Sequence, residues 1–309
     1  MRLIKPSFEI LKQEPGIQGI YKQIERAGRT CYKSEDRITE DSAEKFVNMI
    51  KDRQHTAMLE HGTIYLKVED SLMRGTQTCD DILLKYNRNT YSVYNTVRIE
   101  KQHDCIIGGY VTTNYRVLYE NNWLDDLKYI CEPTEHHEKR ITVKFICDRG
   151  VSHEFVRHRV FSFAQESTRY CNYSKDKFGK ELTFIIPCWL NIPEGQSYWY
   201  DGLGYRVAAD MQNKNFGYIE KSSNYVNFLY SLEYAENSYF RLLDEGWTPQ
   251  QARSILPNSL KTELIMTGTI EQWKGFFKLR CDVAAHPQAR ELAIPLKDEF
   301  TKRHLLNEN

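Results

Sequence analysis

The chain has 309 residues, 41% hydrophobic and 13% aromatic, enough apolar material for a substantial core. Lys and Arg together number 42, as do Asp and Glu, so the formal net charge is zero and any strong positive field must be local. That balance argues against a general nucleic-acid coat. No run approaches eighteen apolar residues, and the start "MRLIKPSFEILKQEPG" has no apolar signal core, so no membrane span and no export are expected. Along the chain, Ile17, Ile20, Ile24 and Ala27 share one stripe and predict a helix over Ile17 to Cys31. Ala43, Phe46, Val47 and Ile50 predict a second over Asp41 to Arg53. Ile64, Leu66 and Val68 alternate and predict a half-buried strand over 62–69. Residues 75–139 are polar, aromatic and weakly periodic, and read as an insertion with a helix near Trp123 to Cys131.

The clearest strand is 140–148, with Ile141, Val143, Phe145 and Cys147 on one side, after which Arg149-Gly150 turns the chain. "LTFIIP" (182–187) is another strand, and 195–215 reads as loop and as a second insertion. Tyr225, Phe228, Leu229, Leu232, Ala235, Tyr239, Leu242 and Leu243 predict a long helix closed by Gly246. Capping boxes at Thr248–Gln251 and Thr269–Gln272 open two more helices, and a last one begins near Pro287. The mixture predicts an α+β fold: one large domain over 1–309, a mainly antiparallel sheet flanked by long helices.

Eight cysteines, at 31, 79, 105, 131, 147, 171, 188 and 281, include no C-x-x-C pair. They read as reduced thiols of a cytoplasmic protein, and no metal site is expected. "HEFVRH" resembles a zinc-binding H-E-x-x-H, but His153 and His158 are five apart, about 140° around a helix, and cannot chelate as an i, i+4 pair. Ser167 lacks a nucleophile elbow, and the chain has neither G-x-G-x-x-G nor a Walker loop.

The stretch with most chemistry is "RHRVFSFAQESTR" (157–169). Two cations about 6 Å apart repel by about 3 kcal/mol at an effective dielectric of 20. Screening removes that repulsion on a wet surface, giving one reading, a solvated basic turn. Phe155, Val156, Val160, Phe161 and Phe163 surround the charges, giving the other: a partly buried anion site. Arginine's planar fork suits phosphate, and Ser162, Gln165, Ser167 and Thr168 add neutral donors.

Arg157-His158-Arg159, seven residues, then Ser167-Thr168-Arg169 is similar to the signature of the flavin-dependent thymidylate synthases. "RTCYKS" (29–34) resembles that family's early segment, and "HTAMLEH" (55–61) its His-x-x-Pro-Phe-Glu-His stretch. "QARSILP" (251–257) and "KLRCDVAAHPQAREL" (278–292) resemble its C-terminal ligand-binding helices. The likeness spans most of the chain outside about 75–139 and 195–215. It departs at Met58-Leu59, where the family has Pro-Phe, and at Ala284, where some relatives have a histidine that His286 follows two positions later.

The resemblance implies methylation of dUMP to dTMP, with the carbon from methylenetetrahydrofolate and hydride from FAD reduced by NADPH. It implies a homotetramer with active sites between subunits; the charge balance and the lack of a long apolar run predict no nucleic-acid or membrane partner. By position it assigns dUMP contacts to Glu154, Arg157, Gln165, Glu166, Ser167, Thr168, Arg169, Arg253 and Arg290, the last also polarising the uracil ring. FAD contacts fall on His55, Ala57, Glu60, Arg157, His158, Arg159, Gln165, Lys278, Arg280 and His286. Arg253, Lys278 and Arg290 also read as salt-bridged helix residues, and His55 as a loop histidine. A nucleotide-binding flavoprotein without synthase activity, or a phosphate clamp for nucleic acid, would use the same arginines.

Overall fold

The computed structural model describes residues 1–69, 78–88, 94–103, 105–195, 197–200, 202, 204–210, 215–220 and 224–306. The chain opens with β1 (Arg2–Ile4), β2 (Ser7–Leu11), α1 (Gly16–Tyr32), α2 (Ser42–Asp52) and β3 (Thr63–Glu69). There follow α3 (Cys79–Asn87), β4 (Thr96–Gln102), β5 (Cys105–Asn114), α4 (Tyr115–Glu120), β6 (Arg140–Asp148), α5 (Arg149–Phe155), β7 (Ser162–Gln165) and β8 (Thr183–Ile185). The C-terminal part holds β9 (Ser197–Tyr200), β10 (Gly204–Asp210), β11 (Asn215–Glu220), α6 (Asn224–Asp244), α7 (Pro249–Ala252), β12 (Lys261–Thr269), α8 (Ile270–Arg280) and α9 (Pro287–Lys302).

The fold is α+β, but among the described residues its strands form four small sheets instead of one: β2-β6-β12-β7, β3-β5-β4, β9-β10-β11 and the pair β1-β8. All of these pairings are antiparallel except β1 with β8. The central sheet is built around β6 and β12, paired from Lys261↔Asp148 to Thr269↔Arg140. Val143, Phe145, Cys147, Leu264 and Met266 on one face pack against Phe155, Trp273, Phe276, Leu292, Leu296 and Phe300 of α5, α8 and α9. On the other face Ala164 and Ile265 meet Leu11 and Ala27, which brings α1 across the sheet.

Of the stripe expected in α1, Ile20, Ile24 and Ala27 are buried and Ile17 is half-buried, and in α2 Ala43, Phe46, Val47 and Ile50 are all buried. The helix expected near Trp123 is a 3-10 turn, Leu124–Tyr129. Weak periodicity across 75–139 conceals β5, whose residues 108–114 are all buried, the polar Thr112, Thr113 and Asn114 included, so polarity does not alternate with burial; within that stretch, 75–77, 89–93 and 104 lie outside the described residues. Arg149-Gly150 is the first turn of a helix, since Asp148 caps it, Oδ1 accepting from the Val151 amide at 2.7 Å. The loop expected at 195–215 instead holds β9, β10 and the start of β11, held by backbone pairing that side-chain alternation does not signal; residues 196, 201, 203 and 211–214 lie outside the described set. The Thr248 box opens only the one-turn α7, and a 3-10 turn, Arg253–Ile255, follows it. No helix among the described residues is long and apolar enough to cross a membrane.

Candidate active site

The signature begins where α5 ends. Phe155 and Phe161 are buried in the aromatic core, so the residues between them bulge outward. Arg157 and Arg159 lie on the exposed surface, and Val160 is 42% exposed. The expectation of partly buried arginines is corrected accordingly: the aromatic residues take the inner positions and leave the guanidiniums to solvent. His158 is half-buried, its ring 5.0 Å from that of Phe276. Arg280, the last residue of α8, reaches across to this turn. Its Nε donates to His158 Nε2 at 3.0 Å, its Nη1 to Glu154 Oε2 at 2.7 Å and its Nη2 to the Glu154 carbonyl at 2.6 Å. Burial, and then the Arg280 charge, push His158 down to about 4, so the ring is neutral at physiological pH.

The second half of the signature runs along β7. Gln165 Nε2 donates to Ser152 Oγ at 2.8 Å and to Thr262 Oγ1 at 3.2 Å, joining α5, β7 and β12. Glu166 points inward: it is 2% exposed, Tyr173 donates to it at 3.0 Å and Lys261 at 2.8 Å. Thr168 is also buried. Ser167 hangs from α1, its amide donating to the Cys31 carbonyl at 3.1 Å, and its Oγ accepts from the Arg169 amide at 3.3 Å. The Arg169 side chain is exposed; its Nε donates to Gln250 at 2.9 Å, just ahead of Arg253, which is exposed too.

A cleft of about 510 Å³ opens beside Gln165 and Ser167, walled by Tyr32, Met58 and Tyr170, with His55 and Ala57 at its rim. The Tyr32 and Tyr170 rings lie 5.4 Å apart, and the Tyr32 hydroxyl meets His55 Nδ1 at 3.1 Å. Arg116 lines the same cleft, its Nη1 donating to Glu60 at 2.6 Å. Nothing in the sequence marked Arg116, Tyr32 or Tyr170 as site residues; Arg116 lies in the stretch read as an insertion. Tyr32 lies inside "RTCYKS", a stretch that resembles the family without itself being assigned a contact.

The last group sits at the start of α9. His286 is exposed at the helix N-cap, its ring 5.9 Å from Trp189. Gln288 Nε2 donates to Asp148 Oδ2 at 2.6 Å, tying α9 to the end of β6. Arg290 is half-buried, and its Nε has no hydrogen-bond partner among the described residues. Burial and the Asp148 charge raise Glu291 to about 7. Lys278 is exposed on α8. The structure thus joins Glu154, His158 and Arg280 in one cluster, and Gln165, Ser167, His55 and Ala57 around one cleft. Exposed guanidiniums, neutral donors and aromatic walls suit an anionic ligand with a planar ring.

A sequence profile described as thymidylate synthase complementing protein matches residues 108–304, more than half of the chain. The chain belongs to that family. Among curated relatives, a flavin-dependent thymidylate synthase of Geobacter sulfurreducens is 25% identical over 148 residues, 48% of this chain and 50% of the relative. One from Pyrococcus furiosus is 29% identical over 157 residues, 51% and 52% of the two chains. The chain spans about half the length of these curated relatives. Among solved structures, a UMP/dUMP methylase, PolB, of Streptomyces cacaoi bound with 5-Br dUMP aligns over 98% of this chain and 93% of its own, at TM-score 0.40 and 16% identity.

Proposed function

We propose that the protein is a flavin-dependent thymidylate synthase, methylating dUMP to dTMP with methylenetetrahydrofolate as carbon donor, FAD as hydride carrier and NADPH as its reductant. The observation behind this reading is the complete Arg157-His158-Arg159…Ser167-x-Arg169 signature in a chain of this family. The residues present suit FAD: Arg157 and Arg159 offer exposed guanidiniums for its diphosphate, and the cleft lined by the paired Tyr32 and Tyr170 rings offers an aromatic wall to a ring. When bound, FAD would supply the hydride.

The remaining work falls to the chain. Arg169 and Arg253, both exposed, would hold the dUMP phosphate, and Ser167 would add a hydroxyl contact. Arg290 would face the uracil edge: a permanent positive charge there stabilises negative charge building on the ring as its C5 attacks an electrophilic carbon. Gln165, fixed by Ser152 and Thr262, would orient the two ligands; holding them in register is the larger part of such a reaction. Glu166 and Thr168 would act through the backbone they anchor. His55, Ala57 and Glu60 would bound the flavin side, joined by Lys278 and His286 from another subunit of a cytoplasmic homotetramer.

The test is tritium release from 5-tritiated dUMP, omitting each co-substrate in turn. Release that requires FAD, NADPH and methylenetetrahydrofolate is expected, from a yellow protein that bleaches with NADPH without oxygen. A colourless protein that releases no tritium would overturn the reading.

A further inference from the structure

His158 is held in a way that leaves its proton a single place. The clasp from Arg280 engages each of the three guanidinium nitrogens, two on Glu154 and one on His158 Nε2. A guanidinium has only donors, so the nitrogen it faces must accept. A neutral imidazole has one proton, which therefore sits on Nδ1. Two apolar rings flank the histidine: Phe276 at 5.0 Å and Phe161 edge-on at 6.2 Å.

We infer that Arg280 is a positioning residue, clasping the signature turn so that His158 presents a fixed Nδ1–H donor, and that the ligand atom docked on it is a hydrogen-bond acceptor: a carbonyl oxygen, an imine-type ring nitrogen or a phosphate oxygen. His158 is then neither a base nor a cation at this site. Arg280, with three of its five N–H groups engaged on Glu154 and His158, acts on a ligand through the turn. The identity of that ligand as FAD rests on the function proposed above; the clasp does not.

The electrostatics agree with the geometry. The charged groups facing the histidine are Arg280 from α8 and Glu154 from α5, and Arg157 bears on Arg280. Burial comes first and the Arg280 charge second, and both disfavour the imidazolium. Removing the arginine relieves the second, so the histidine's titration must move up.

The experiment uses full-length protein labelled with 15N-histidine, with the His158 signal assigned from His158→Asn. Expected are the Nδ1–H tautomer at pH 7 and no protonation until pH falls well below the usual histidine range. In Arg280→Met the tautomers should mix and the titration midpoint should rise toward an ordinary histidine. A proton on Nε2 in the unaltered protein, or an Arg280→Met protein with the same tautomer and midpoint, would overturn the inference. If Arg280→Met does not fold, Arg280→Lys serves: it keeps a charge but loses the three-way fork, and an undiminished Nδ1–H preference there would also overturn it. FAD titration provides the ligand arm. His158→Asn, whose amide can place an N–H near Nδ1, should bind within about threefold of normal, and His158→Leu about tenfold or more weaker. Equal losses in both would remove the donor role. If the unaltered protein binds no FAD, the proposed function fails while the tautomer measurement stands.

Discussion

Glu263 on β12 and Lys144 on β6 meet at 2.5 Å across the central sheet. Lys261 also lies 2.6 Å from Glu263, and Lys33, just past α1, reaches the same carboxylate. Three ammonium groups therefore share one carboxylate whose side chain is 6% exposed. Lys261 passes the link on to Glu166, within the signature.

Removing that carboxylate leaves clustered, poorly hydrated cations. Glu263→Gln should cost about 3 kcal/mol of folding stability, measured by denaturant unfolding. Burial alone would raise the Glu263 carboxyl, but Lys261, Lys33 and Lys144 hold it well below the usual carboxylate range. A folded value below the ordinary 4.5 means the stabilisation is fully present above that pH and lost as pH falls toward the folded value. The acid limb of the stability curve should accordingly be shallower in Glu263→Gln than in the unaltered protein.

Glu291 predicts the opposite sign. Its value is raised from 4.5 to about 7, so ionising it in the folded protein is unfavourable, a cost that appears as pH rises between those two values. Glu291→Gln removes the charge. Its melting temperature should match the unaltered protein near pH 4.5 and exceed it at pH 8; an equal or lower value at pH 8 would contradict the assignment.

Gly268 links core packing to the site. A Cβ there would stand 2.5 Å from the Phe161 ring, and Phe161 is the inner anchor of the signature turn. Gly268→Ala should cost about 2 kcal/mol through overpacking, read as a lower melting temperature. It should also weaken FAD binding, read by flavin fluorescence, because the displaced ring moves the turn.

Arg290→Lys should leave FAD bound and lower turnover by more than about tenfold, since a point ammonium cannot replace the planar fork. Steady-state kinetics with dUMP checks this, and unchanged turnover would remove Arg290 from the role proposed for it.

The helices α1, α2, α6, α8 and α9 were legible because their apolar residues repeat at helical spacing or their ends have caps, as at Thr269 and Gly246; α3, α4 and the short α5 were not. β12 was not. In "KTELIMTGT" Thr262, Glu263 and Thr267 are buried beside Leu264 and Met266, so polarity does not alternate with burial. β7 has four residues, too few to show a period. The signature was readable as spacing, but its relation to Arg280 was not, since the hydrogen bond between Arg280 and Glu154 depends on how α5 and α8 pack. The buried side of Glu166 was equally invisible, because its partner Lys261 lies on a strand that the pattern does not reveal.

The strand order β2-β6-β12-β7 has a consequence for synthesis. β12, at 261–269, separates β6 from β7, though those two are neighbours in sequence. A nascent polypeptide emerging from the ribosome thus has no template on which to seat the Arg157–Arg159 turn until residues 261–269 have left the exit tunnel. Until then the aromatic anchors on either side of that turn are exposed to chaperones and to other unfinished chains.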